Sequence, residues 1–200
     1  MRGAVSDKAA TDEAVTDEPM YEPRPPLREL VSPRMAILVL VVGAALAGES
    51  FNRFGSTTYA LIGAILGPVL VLLSAIDLRH RLLPNIIVGP AAVAIAAVVA
   101  IGEPHHLAVH LIAAALGGGI LFVLAIAKPA GMGMGDAKLT FLIGMALGFR
   151  TIAAMFFTSG ALIVVALGLV IAHGRMGLKM TIPFGPLLAL GALTAYFLTP

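Results

Sequence analysis

The chain has 200 residues, 59% of them hydrophobic and 12% charged, with a net charge of +2 and no cysteine. An ordinary soluble domain carries about 25% charged residues, and residues 35–200 hold only twelve, too few to solvate a globule of that size. The missing cysteines exclude disulfides, thiolate zinc sites and cysteine nucleophiles; no nucleic-acid partner is expected.

Residues 1–34 stand apart. They carry seven acids, five bases and the prolines Pro19, Pro23, Pro25, Pro26 and Pro33, with no apolar period. Such a segment cannot bury enough apolar surface to fold and is expected to be a disordered cytoplasmic tail. It is not a secretory signal, because the apolar run begins only at Met35, behind a long acidic stretch.

Apolar runs follow near 35–48, 58–76, 86–102, 107–127, 138–149, 151–172 and 182–198. A spanning helix needs about 20 residues. The first and fifth runs are short and the last reaches the lower limit. The expected fold is therefore an all-α, polytopic transmembrane bundle over 35–200, of about seven spans, with six as the alternative. Most faces of these runs are apolar, and their glycines and alanines suit close helix packing in lipid.

Lysine and arginine placement orients the chain. With seven spans and the N-terminus inside, eleven bases lie on the inner side, among them Arg34, Arg79, Arg81, Lys128, Lys138, Arg175 and Lys179. Only Arg53 and Arg150 lie outside. This asymmetry is a positive-inside signal. It puts Asp77, at the end of the second span, and Asp136, at the start of the fifth, on one cytoplasmic side.

Asp77 opens the stretch Asp77-Leu78-Arg79-His80-Arg81-Leu82-Leu83-Pro84-Asn85. Its place in the last turn of an apolar helix, whose C-terminus is partially negative, favours the protonated acid, and Arg79 and Arg81 push the other way. Asp136 follows the glycines Gly131, Gly133 and Gly135, which allow a bend and a close approach, and it begins a helix whose dipole favours the anion. Two carboxyls in one dry site cannot easily both ionise. One anion to take a proton from water and one neutral acid to polarise a carbonyl is what aspartic peptide hydrolysis needs. The fifth run is about 18 Å of helix from Lys138 to Phe149, against about 30 Å of hydrocarbon, so the glycine loop would sit in a wet recess.

These elements resemble the type IV prepilin peptidases: an acid followed by Pro84-Asn85, the run Gly133-Met134-Gly135-Asp136-Ala137-Lys138, and Ile182-Pro183-Phe184-Gly185-Pro186, similar to the last helix of that family. The resemblance spans roughly 58–198. It implies an aspartic endopeptidase of the cytoplasmic membrane, with catalytic residues Asp77 and Asp136, no cofactor and no metal. It further implies type IV pilin-like precursors as partners, cut on the cytoplasmic face just before the substrate's apolar helix. Longer family members carry paired Cys-x-x-Cys motifs linked to N-methylation; without cysteine the chain looks like the short, peptidase-only type.

Blander readings exist for each residue. Asp77 could pair with Arg79 or Arg81, Asp136 could be a helix cap, and Lys138 could only mark the boundary. Met132 and Met134 read as flexible apolar contacts and Glu49 as an interfacial residue. His106 and His110 share the i, i+4 spacing of metal ligands but lie on the outer side, away from both motifs. A proton-coupled carrier or a silent scaffold would also accommodate intramembrane acids; a carrier would place them near the midplane.

Overall fold

The computed structural model describes residues 30–127, 133–174, 176 and 182–198. Most of the expected tail, the loop residues Gly131 and Met132, and the bases Lys128, Arg175 and Lys179 lie outside the described residues. Among those described are seven α-helices and no strand: α1 Pro33–Phe54, α2 Thr58–His80, α3 Asn85–Gly102, α4 Leu107–Ala127, α5 Met134–Leu147, α6 Thr151–His173 and α7 Gly185–Leu198. Single 3-10 turns at Pro104–His106 and Gly148–Arg150 join α3 to α4 and α5 to α6. Helices α1 to α4 and the continuous stretch Met134–His173 are long and apolar enough to cross a membrane, and α7 is a shorter apolar helix. The protein is an all-α, multi-pass membrane protein.

Local chemistry sets the helix ends. Ser32 caps α1 by accepting from the Met35 amide at 3.3 Å, with Pro33 in the first position. Thr57 caps α2 in the same way through the Ala60 amide at 3.3 Å. Helix α1 continues to Phe54, beyond the expected end at 48. Glu49, Asn52 and Arg53 face outward, while Ser50 is buried and donates to the Ala60 carbonyl at 3.0 Å. Hydropathy falls there, but the helix loses no packing. Helix α5 begins at Met134, before the expected 138, because the glycine run itself forms the first turn, with the Asp136 amide donating to the Gly133 carbonyl at 3.1 Å.

The helices alternate in direction. Arg79, near the end of α2, donates to Ser32 at the start of α1 (3.2 Å). The start of α3 meets α5 through Lys138 and Asn85, at 2.8 Å. His110, in the first turn of α4, bonds the Met145 carbonyl near the end of α5, at 2.8 Å. Thr158 of α6 reaches the Leu187 carbonyl of α7 at 3.4 Å. One end of the bundle thus collects Arg34, Arg79, Arg81 and Lys138, and the other collects Arg53 and Arg150.

Lipid offers no hydrophobic drive for helices to associate, so packing and polar contacts must do it. A Cβ on Gly144 would stand 2.5 Å from the Ala114 Cα, so α4 and α5 touch backbone to backbone. One on Gly191 would stand 2.5 Å from the Ala154 carbonyl, which marks the same intimacy between α6 and α7. Leu66, Leu70 and Leu73 of α2 meet Ile95, Leu139, Leu142, Ile143, Leu188 and Ala192 in the core. The two 14-residue helices, α5 and α7, are the ones most enclosed by the others.

At the Arg150 end, Tyr196 of α7 enters a polar knot. Its hydroxyl donates to the Tyr59 carbonyl at 2.9 Å and makes a short hydrogen bond with Ser50. Its ring stacks on Tyr59, over which the Arg150 guanidinium also lies, 4.7 Å from the centroid. Phe54 packs edge-on against both rings. Replacing Tyr196 by Phe keeps the stacking and deletes the hydroxyl. The expected cost is about 1 kcal/mol, read as a lower unfolding midpoint in mixed micelles; an unchanged midpoint would mean the knot does not tie α1, α2 and α7 together.

Candidate active site

At the opposite end, α2 carries Asp77 in its last turn and continues to His80, where Arg81 adopts a left-handed conformation (φ 51°) and stops it. The Arg81 amide donates to the Asp77 carbonyl at 2.9 Å. Leu82, Leu83 and Pro84 then carry the chain to α3. The side chain of Asp77 turns inward and is only 7% exposed, whereas the neighbouring Leu78, Arg79 and His80 are exposed.

Asp77 has a partner that sequence position does not reveal. Its Oδ2 accepts from the backbone amide of Gly185, 3.0 Å away and 108 residues later. Gly185 is the first residue of α7, where amides have no intrahelical acceptor and the helix dipole presents its positive end. The space is tight: a Cβ on Gly185 would lie 2.7 Å from Oδ2 and 3.0 Å from Cγ of Asp77. Asp77 lies in the last turn of its helix and Asp136 in the first turn of its own, as the sequence suggests, but α7 adds a second helix start at Asp77. Each carboxyl faces a helix N-terminus, Asp77 that of α7 and Asp136 that of its own helix.

Asp136 is half-buried in the first turn of α5, with Gly133 as the cap residue. It does not occupy the cap position itself; its carboxyl turns back to the backbone of Gly133. Gly135 accounts for the close fit of this turn, since a Cβ there would stand 2.9 Å from the Leu83 Cβ in the α2–α3 connection. That approach holds the start of α5, with Asp136, against the connection that follows Asp77. Lys138, one position beyond Ala137, donates to the Asn85 side chain at 2.8 Å. Both stretches singled out in the sequence are therefore bound to each other and meet at one end of the bundle.

Other sequence candidates separate from this site. His106 pairs with Glu103 at 3.1 Å, and His110 bonds the Met145 carbonyl, both at the far end. Arg79 serves Ser32 and does not contact either acid by hydrogen bond. Gly185 was visible in sequence as part of a helix start, Phe184-Gly185-Pro186, but its partner was not. Two carboxyls held at one end of an apolar bundle, each beside helix-start amides, are groups able to accept and donate protons. Such a pair needs no metal to do so.

Comparison with known proteins identifies the family. The family model described as the type IV leader peptidase family matches residues 64–169, which include both aspartates. A relative from Bacillus subtilis (strain 168), named prepilin leader peptidase/N-methyltransferase, is 31% identical over 78% of this chain and 63% of its own length. One of the same name from Burkholderia pseudomallei (strain 1026b) is 32% identical over 82% of this chain and 55% of its own. The chain thus spans less than two thirds of the length of these relatives. No solved structure matches.

Gly185→Ala tests the contact on which Asp77 rests. The added carbon must displace either α7 or the carboxyl, and overpacking of this kind costs roughly 1–3 kcal/mol. The unfolding midpoint in micelles should fall well below that of Gly160→Ala, where nothing lies within 4 Å. Equal midpoints would show that the close approach is absent.

Proposed function

Because this chain belongs to the type IV leader peptidase family, we propose that it is a membrane-embedded aspartic endopeptidase that removes the leader of type IV pilin-like precursors. Asp77 and Asp136 are the catalytic pair. The observation that carries this reading is their meeting: two acids 59 residues apart, on different helices, share one end of the bundle, joined there by the Gly135–Leu83 approach and the Lys138–Asn85 hydrogen bond. The reading takes over only the peptidase half of the relatives' names, the half to which a carboxyl pair speaks.

In the proposed reaction a water sits between the carboxyls. One carboxylate takes its proton as the oxygen attacks the scissile carbonyl, and the other, protonated, donates to the carbonyl oxygen. The proton taken from water then passes to the leaving amine as the peptide bond breaks. The two protonation states belong to the pair as a unit. Gly185, through its amide, holds the Asp77 oxygen in place during these steps.

Helix lengths support a wet site at membrane depth. Helices α5 and α7 each have 14 residues, about 21 Å at 1.5 Å per residue, against about 30 Å of hydrocarbon. Both begin at the aspartate end. Non-helical backbone at that depth is tolerated where protein buries it or water fills it. The bases gathered at this end support, on the positive-inside rule, the proposal that it lies at the cytoplasmic face of the cytoplasmic membrane, with the N-terminus inside. Two acids at one end of the helices suit hydrolysis better than a transport pathway, which places acids near the midplane.

Co-expression of a pilin-like precursor with wild type, Asp77→Asn or Asp136→Asn tests the proposal. Each substitution should reduce leader removal by at least a thousandfold, to background on an immunoblot, while the variant accumulates in the membrane like wild type. Normal processing by both variants would falsify the assignment.

A further inference from the structure

A groove opens between α3, α4 and α5, with a volume of about 630 Å³. Its walls are almost wholly apolar: Val93 on α3, Phe122 on α4 and Phe141 on α5 all line it, and all are exposed. The polar exception lies at one end, where Lys138 and Asn85 face into it. That end adjoins the aspartates, since Ala137 and Lys138 line the groove and directly follow Asp136.

We infer that this groove seats the apolar helix of the membrane-anchored substrate, directly beside the bond to be cut. The inference rests on the peptidase reading above. The order of chemistry along the groove carries it. A substrate whose polar leader junction passes into an apolar helix needs a surface polar at the catalytic end and apolar beyond, and this groove has that order. The Lys138 ammonium has three N–H donors. One serves Asn85, and no carboxylate pairs with it among the described residues. The remaining donors are left for backbone carbonyls of an extended junction at this end of the groove.

The walls suit a helix better than a lipid tail. Helices associate in lipid where small residues let backbones approach. Gly118, at the groove floor, is already committed to internal packing, because a Cβ there would stand 2.7 Å from the Phe141 Cβ. Gly89 on α3 and Gly119 on α4 are not: a Cβ at either would meet nothing within 4 Å. These two line opposite walls and leave room for a partner's backbone. Flexible acyl chains need no such smooth wall.

The test compares two substrates of the purified enzyme in liposomes: a full pilin-like precursor, and a short peptide spanning the leader junction without the apolar helix. Gly119→Leu should lower the ratio of kcat/KM for precursor to that for peptide at least tenfold. Gly168→Leu, at a glycine equally free of neighbours but on α6, should leave the ratio at the wild-type value. An unchanged ratio in Gly119→Leu overturns the inference. A wild type that cleaves neither substrate overturns instead the peptidase reading on which it rests. If Gly119→Leu does not fold, a benzophenone side chain at position 122 decides: an adduct with precursor supports the groove, and adducts with lipid alone overturn it.

Discussion

Helix α2 is bonded to α7 at both of its ends, and the rest of the bundle is arranged around that pair. At one end the Tyr196 hydroxyl reaches the Tyr59 carbonyl and Ser50. At the other the Gly185 amide reaches the Asp77 carboxyl. In lipid, where apolar surface gains nothing by leaving the solvent, such bonds and the fit of small residues decide which helices are neighbours. With both ends fixed, Asp77 has little freedom in depth or rotation, and α5 must bring Asp136 to it. The Gly135–Leu83 and Lys138–Asn85 contacts make that connection.

Much of this was legible in the sequence. Apolar run length gave the helices in order, because a bilayer leaves few alternatives to a helix. The scarcity of acids singled out Asp77 and Asp136, and alternation of the basic loops put them at one end. The errors are local and share a cause. Hydropathy ended α1 at 48 because Glu49 and Arg53 are charged, but a helix can expose them on one side while burying Ser50 on the other. The glycine run read as a loop, yet its last residues form the first turn of α5.

What sequence could not give is the partner of Asp77. A bond across 108 residues leaves no periodic trace. Sequence set the C-terminal end of its own helix, unfavourable to a carboxylate, against the charges of Arg79 and Arg81. The structure brings a second helix start to it, so the setting of the carboxyl is a property of the pair α2 and α7. Similarly, the short length of α5 was readable, but not that α7 is equally short and begins at the same end.

The two short helices also bear on how the protein meets its bilayer. A short helix facing lipid thins the membrane around it or makes neighbouring side chains stretch to the surface. Helices α5 and α7 are largely enclosed by longer ones, so their mismatch falls on protein contacts and not on lipid. The surrounding leaflet can keep its ordinary thickness while a local dip exists inside the bundle. Water access to the carboxyl pair is then set by the protein's own walls. The depth of the carboxyl pair is fixed by protein contacts and not by acyl-chain length.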